Sequence, residues 1–188
     1  MSIFDRQAGH AWRALAFAVP MAMLAAPTVA AKEPARLAVL AFDYSDTSGE
    51  VRDQSADHTR RLAEFRKGLR DRLTAGSAFR AVELPCVETE HCSAGNTPPA
   101  ELLKRARAAG VDYLVFGKIH KMSTLVGWGR VEVLDVSDDH LVSDHVISFR
   151  GDTDEAYERA ATFTARDILR GFGPGDTAAK PAAAAPAR

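Results

Sequence analysis

The chain reads as a single α/β domain, leaning toward α+β, with one mixed sheet of about five strands and three helices in the order β-α-β-α-β-β-β-α. Three observations carry that reading. A short, nearly continuous apolar run, "RLAVLAFDY" from Arg36, has the composition of a strand buried on both faces. Two segments with helical apolar spacing separate the early strands, as crossover connections between parallel strands require. Two late strand-like stretches flank the turn-rich "SDDH", which makes the end of the sheet an antiparallel hairpin.

The loop "SDTSGEVRDQSAD" follows the first strand, and then Leu62, Phe65, Leu69 and Leu73 recur at three- and four-residue steps. That is an amphipathic helix, with Gly76 just beyond it as a stop signal. "FRAVEL" from Phe79 alternates apolar and polar over a strand's length. In "NTPPAELLKRARAAG", Thr97 offers an N-cap oxygen, the prolines sit where first-turn N–H groups need no partner, and Gly110 can close the helix. "VDYLVFGKIHKM" from Val111 is the third strand, with Gly117 inside it, and "WGRVEVLDV" and "LVSDHVISF" form the hairpin. The last helix is expected over residues 153–170, with Tyr157, Ala160, Ala161, Thr164 and Ile168 as its buried face.

The two ends differ from this pattern. Arg6 and Arg13 precede the apolar run "ALAFAVPMAMLAA", and small residues follow, which is the grammar of a secretory signal peptide over residues 1–31. Pro20 and Pro27 interrupt a run that a membrane anchor would need unbroken for about 20 residues. Residues 173–188, "GPGDTAAKPAAAAPAR", have no apolar period and read as a disordered Ala- and Pro-rich tail. Residues 32–172 are left as one α/β domain, expected in the periplasm. Without residues 1–31 the chain holds 22 basic and 24 acidic residues, a balance that argues against nucleic acid as a partner.

Cys86 and Cys92 are the only cysteines, in "PCVETEHC". In an oxidising compartment an even pair this close reads as a disulfide that staples a loop. A metal site would use Cys86, His91 and Cys92, but a second ligand pair is missing and the spacing is not the C-x-x-C of a redox motif.

The acidic stretch "RGDTDEAYERAATFTARDIL" from Arg150 poses the main functional question. Asp152 just before a helix, with Glu155 three residues later, has the form of a capping box, and Asp154 adds a carboxylate at the positive end of the helix dipole. Gly151 permits the bend from strand to helix. A second acidic stretch, "DYSDTSGE", places Asp43, Asp46 and Glu50 beyond the first strand, where open α/β sheets collect ligands. Asp43, Asp46, Asp152 and Asp154 are therefore the candidate set for a cation or small-ligand site, although their spacing does not match the helix–loop–helix calcium pattern. The sequence has no G-x-S-x-G, H-E-x-x-H or phosphate-cradling glycine loop, and His58, His91, His120 and His145 are scattered singly. The expectation is a non-enzyme without a cofactor. "GWG" sets Trp128 between two glycines, either as a core cover or as an aromatic offered to a partner.

"LAVLAFDYSDTSGE", "GVDYLVFGKIHKMSTL" and "VISFRGDTDEAYERAATFTARDIL" resemble the three landmark segments of a bacterial exported family catalogued as domain of unknown function 2380, closely similar to 3280. Asp152 stands where that pattern has Asn, and Ala156-Tyr157 where it has Ser-Trp. More distantly the chain is similar to the N-terminal domain of TolB-type translocation proteins, to the curli-secretion lipoprotein family and to outer-membrane activators of penicillin-binding proteins. The resemblance implies an envelope domain that docks on another protein, and the expected surface is a sheet edge or the loops beyond the strand ends. The candidate contact residues are Asp43, Asp46, Thr47, Ser48, Lys121, Ser123, Trp128, Asp152 and Thr153, on polar loops and strand ends around a compact scaffold.

Overall fold

The computed structural model describes residues 33–172. The expected signal peptide over residues 1–31 and the tail over residues 173–188 lie outside the described residues. Ten elements follow one another: β1 (Ala35–Val39), β2 (Asp43–Asp46), α1 (Ser55–Leu73), β3 (Phe79–Ala81), α2 (Pro85–Thr89), α3 (Pro99–Ala108), β4 (Tyr113–Lys121), β5 (Val126–Asp135), β6 (His140–Arg150) and α4 (Asp154–Gly171). The sheet runs β3-β1-β4-β5-β6, parallel at β3, β1 and β4 and antiparallel from β4 onward, with β2 also parallel to β4. The mixed sheet, the late hairpin and the three long helices are those the sequence predicts.

The count is six strands and four helices, not five and three. The sixth strand arises because "RLAVLAFDY" is broken. In β1, Leu37 stands opposite Tyr113 and Val39 opposite Val115, whereas in β2, Asp43 stands opposite Lys118. The offset changes by one residue across residues 40–42, as a bulge requires. A slip of one residue exchanges faces, so the core side passes from Leu37 and Val39 to Phe42 and Tyr44. The fourth helix, α2, is a short turn that carries Cys86 inside the cysteine loop.

Two hydrophobic clusters lie on opposite faces of the sheet. On one face α1 and α4 bury Phe65, Leu69, Leu73, Ala161 and Ile168 against Leu37, Val115, Ile119, Val131 and Val133. On the other face α2 and α3 pack Val87, Leu102 and Ala106 on Ala38, Leu40 and Leu114. The Cys86–Cys92 disulfide expected from the sequence is formed, with both cysteines buried in this second cluster. Gly117 is needed where β4 meets β5, because a Cβ there would fall on the backbone oxygen of Arg130.

Two caps differ from expectation. α3 starts one residue later than expected, with Pro98 at its N-cap, while the Thr97 hydroxyl donates to Asn96. α4 is capped by Thr153, whose Oγ1 accepts from Ala156 N at 3.3 Å, and not by Asp152. The bend into α4 turns on Gly151, at φ 93°, as its sequence position suggests.

Candidate functional site

The released residue, Asp152, defines the site. Along β4, Val115, Ile119 and Lys121 all point toward the α1–α4 core, so the last of the row carries an ammonium into a buried position. Lys121 is only 2% exposed. A buried charge needs partners, and two loops and the end of β2 supply them. Asp152, from the β6–α4 junction, lies 2.8 Å from its Nζ. Glu50, from the β2–α1 loop, makes a direct ion pair with it. Asp46, its register partner on β2, stands 3.9 Å away.

Asp152 is shared further. His58 Nε2 lies 2.9 Å from its Oδ2, and Arg61 Nη1 donates to its Oδ1 at 3.0 Å. Because the carboxylate can only accept, the His58 Nε2 carries the hydrogen. The His58 ring, itself buried, lies against the Tyr44 ring with centroids 4.6 Å apart. Asp154 continues the cluster toward solvent, accepting from Arg60 at 2.8 and 2.9 Å and from Arg61 at 3.0 Å.

Titration follows this geometry. Burial pushes Asp152 up, but hydrogen bonds from Lys121 and His58 and the charges of His58 and Arg61 outweigh it and hold the carboxyl below its ordinary value. Burial pulls Lys121 down, and Asp152 and Glu50 together more than reverse this, leaving it above the usual lysine value. Arg60 and Arg61 bring Asp154 to about 2. Burial and the nearby Asp152 charge push the Tyr157 hydroxyl up to about 12. A lysine held protonated has no free lone pair at neutral pH, so Lys121 as placed is an ionic tie and not a nucleophile. What the arrangement does is fasten the β2–α1 loop, the β6–α4 junction and α1 to the end of β4.

The candidate residues named from sequence fall into separate places. Asp46, Lys121 and Asp152 meet in the cluster, and Ser48 N donates to Asp46 Oδ1 at 2.7 Å beside it. Thr153 caps α4. Asp43 points away, accepting from Ser93 Oγ at 2.5 Å and Gly95 N at 2.8 Å, and so pins the disulfide loop to β2. Thr47 and Trp128 are associated with the opposite sheet face. Thr47 Oγ1 is 2.7 Å from His120 Nε2, and half-buried Trp128 stands level with His120, with the Lys118 ammonium 6.0 Å from its ring. Ser123 sits in the β4–β5 turn, its Oγ 3.3 Å from Leu125 N.

The four carboxylates considered for a cation are not brought together. Asp43 lies in another network, Asp154 joins the cluster only through the guanidinium of Arg61, and Asp46 and Asp152 converge on an ammonium. Among the described residues no group of three or more His, Cys, Asp or Glu is placed to hold a metal ion. Sequence reasoning missed His58 and Arg61 as members of the cluster, and Gln54, whose Nε2 donates to Glu50 Oε2 at 2.7 Å. The signal was present for His58, which continues the Leu62, Phe65, Leu69 stripe of α1 and is therefore directed inward.

This fold and cluster define a mixed α/β domain whose strand-end loops are clamped by a buried lysine. The chain belongs to the family described as protein of unknown function (DUF2380), whose DUF3280 model matches residues 35–169. Among solved structures, TolB from Acinetobacter baumannii is similar at 13% identity and a TM-score of 0.49, over 76% of this chain and 29% of that one. A PelC dodecamer from Paraburkholderia phytofirmans is similar at 15% identity and a TM-score of 0.46, over 72% of this chain and 85% of that one. The C-terminal domain of LpoB from Salmonella enterica is similar at 10% identity and a TM-score of 0.40, over 64% of this chain and 85% of that one. No curated protein matches the sequence. Among the described residues no helix is long and apolar enough to cross a membrane.

Proposed function

We propose that this is a non-enzymatic adaptor domain of the bacterial periplasm that docks on another envelope protein through the loop end of its sheet. One observation carries the reading. Val51, Met122 and Leu125 are 102%, 54% and 68% exposed, and all three belong to loops gathered at this end. Val51 follows Glu50, which binds Lys121; Met122 follows Lys121; and Leu125 O accepts from Gly151 N at 2.9 Å, beside Asp152. Apolar side chains held out into water on clamped loops suit a partner surface, since pre-ordering removes part of the entropy cost of binding. Thr47, Ser48 and Ser123 would form its polar rim, with Trp128 at its side.

The test is a crosslinking pull-down from the native host with the tagged chain, a Met122→Ser/Leu125→Ser double variant and a Trp128→Ala variant. A stoichiometric envelope partner held by the parent chain and lost from the double variant supports the proposal. Equal recovery by both would remove this end as the docking surface, and no partner at all would remove the adaptor reading.

A further inference from the structure

Beside β2 the sheet has a notch. β3 pairs with β1 at Ala35, Arg36 and Leu37, and among the described residues no strand pairs with the edge of β2 that faces away from β4. Thr47 N donates to Lys121 O at 2.9 Å, so alternate residues of β2 turn their backbone groups toward β4. Those of Tyr44 and Asp46 therefore point into the notch. Lower on the same edge the backbone is already satisfied: Arg66 Nε donates to Val39 O at 2.9 Å, and Ala41 N donates to Cys92 O at 3.1 Å.

Two grooves that share Thr59 and Leu62 of α1 lie along this open edge. The lower, of about 400 Å³, is lined by Phe42, Ala63 and Val87. It lies between α1 and the disulfide loop, just past the end of β1. The upper, of about 380 Å³, is rimmed by Asp46, Glu50 and Asp53, with Arg52 beside them. Three carboxylates outnumber Arg52 on that rim and leave it net negative, while Lys121 and His58 behind it are both held by Asp152.

We infer that the notch receives an extended segment of the partner protein as an added strand beside β2. An aliphatic side chain would fill the lower groove, and a lysine or arginine would meet the upper rim. This rests on the adaptor reading above and specifies what the partner offers. Main-chain hydrogen bonds to an open strand edge supply affinity in such pairing, and alternate side-chain pockets set the choice. An unpaired edge left uncovered would also invite non-specific strand pairing. Here the walls from α1 and the disulfide loop restrict entry to a single narrow segment.

The probe is a phage-displayed library of random dodecapeptides, selected on the exported chain with its disulfide formed. Ala63→Trp fills the lower groove from an exposed helix position, and Thr59→Arg places a cation at the junction of the two grooves; neither residue is in the core. Selected peptides are expected to be proline-free over the bound stretch and to combine aliphatic with basic residues. They should bind each variant at least tenfold more weakly than the parent, and slow hydrogen exchange at the Tyr44 and Asp46 amides. Peptides that bind both folded variants as well as the parent, or that protect β6 instead, would overturn the inference, as would a library that yields no binder. In any of those cases a partner captured by the parent chain and lost from the Met122→Ser/Leu125→Ser variant would leave the adaptor reading standing by itself.

Discussion

Replacing Lys121 by Met keeps most of the side-chain volume and deletes the charge that three carboxylates face. Removing one partner of a buried ion pair costs about 3–5 kcal/mol, because the other is left buried and unpaired. Asp152 would retain His58 and Arg61, and the Glu50 side chain is 27% exposed and can turn partly to water. The lower end, about 3 kcal/mol, is therefore expected. For a domain of this size that corresponds to a fall in Tm of about 10 °C. Urea unfolding and thermal melting followed by circular dichroism would measure it. Adding Glu50→Gln and Asp152→Asn should recover part of the loss, since an uncharged cluster no longer strands buried carboxylates. A loss below about 1 kcal/mol, the range of a surface ion pair, would refute the view that Lys121 clamps the loop end.

Four further outcomes follow from the same structure. Asp152 is held below its ordinary value, so its contribution is fully present above about pH 4 and is lost as pH falls through its folded value. Lys121 is held above its ordinary value, so its contribution is full below about pH 10 and is lost as pH rises further. Tm should thus show these two contributions declining only at the acid and alkaline extremes, and a profile insensitive to Asp152→Asn below pH 4 would contradict the assignment. Changing both Cys86 and Cys92 to Ala should cost about 2 kcal/mol for so short a closed loop, read from urea midpoints. Gly117→Ala should prevent folding to the native state, because the new Cβ meets backbone that cannot retreat; a native-like circular dichroism spectrum would show β4 and β5 to be less closely paired than described. Added Ca²⁺ should leave Tm unchanged, since Asp46 and Asp152 already face an ammonium; a rise with concentration would revive the cation site.

Much of the architecture was legible in the sequence because periodicity speaks directly to burial. The Leu62–Leu73 stripe, the α4 face from Tyr157 to Ile168 and the "SDDH" turn each state a local requirement that the tertiary structure keeps. The bulge after Leu40 was not legible, because an apolar run buried on both faces looks the same before and after a slip of one residue. That slip turns Tyr44 and Asp46 to the α1–α4 side of the sheet, where they meet His58 and Lys121. Asp152 was misread for a related reason. Its position before a helix fits a cap, and only the arrival of Lys121 from β4 and His58 from α1, distant in sequence, gives it stronger partners; Thr153 then takes the cap. The lysine itself offered one clue, its parity with Val115 and Ile119, which a strand reading that weighs polar residues at core positions could have used.

The most direct test of the adaptor assignment is a photo-crosslinking amino acid placed at Leu125, on the loop end, and in parallel at Phe163, which is 47% exposed on α4. In the native host, Leu125 should give one discrete adduct with an envelope protein and Phe163 none. Adducts at Phe163 alone, or none at Leu125 while the chain is folded and abundant, would contradict a docking surface at the loop end.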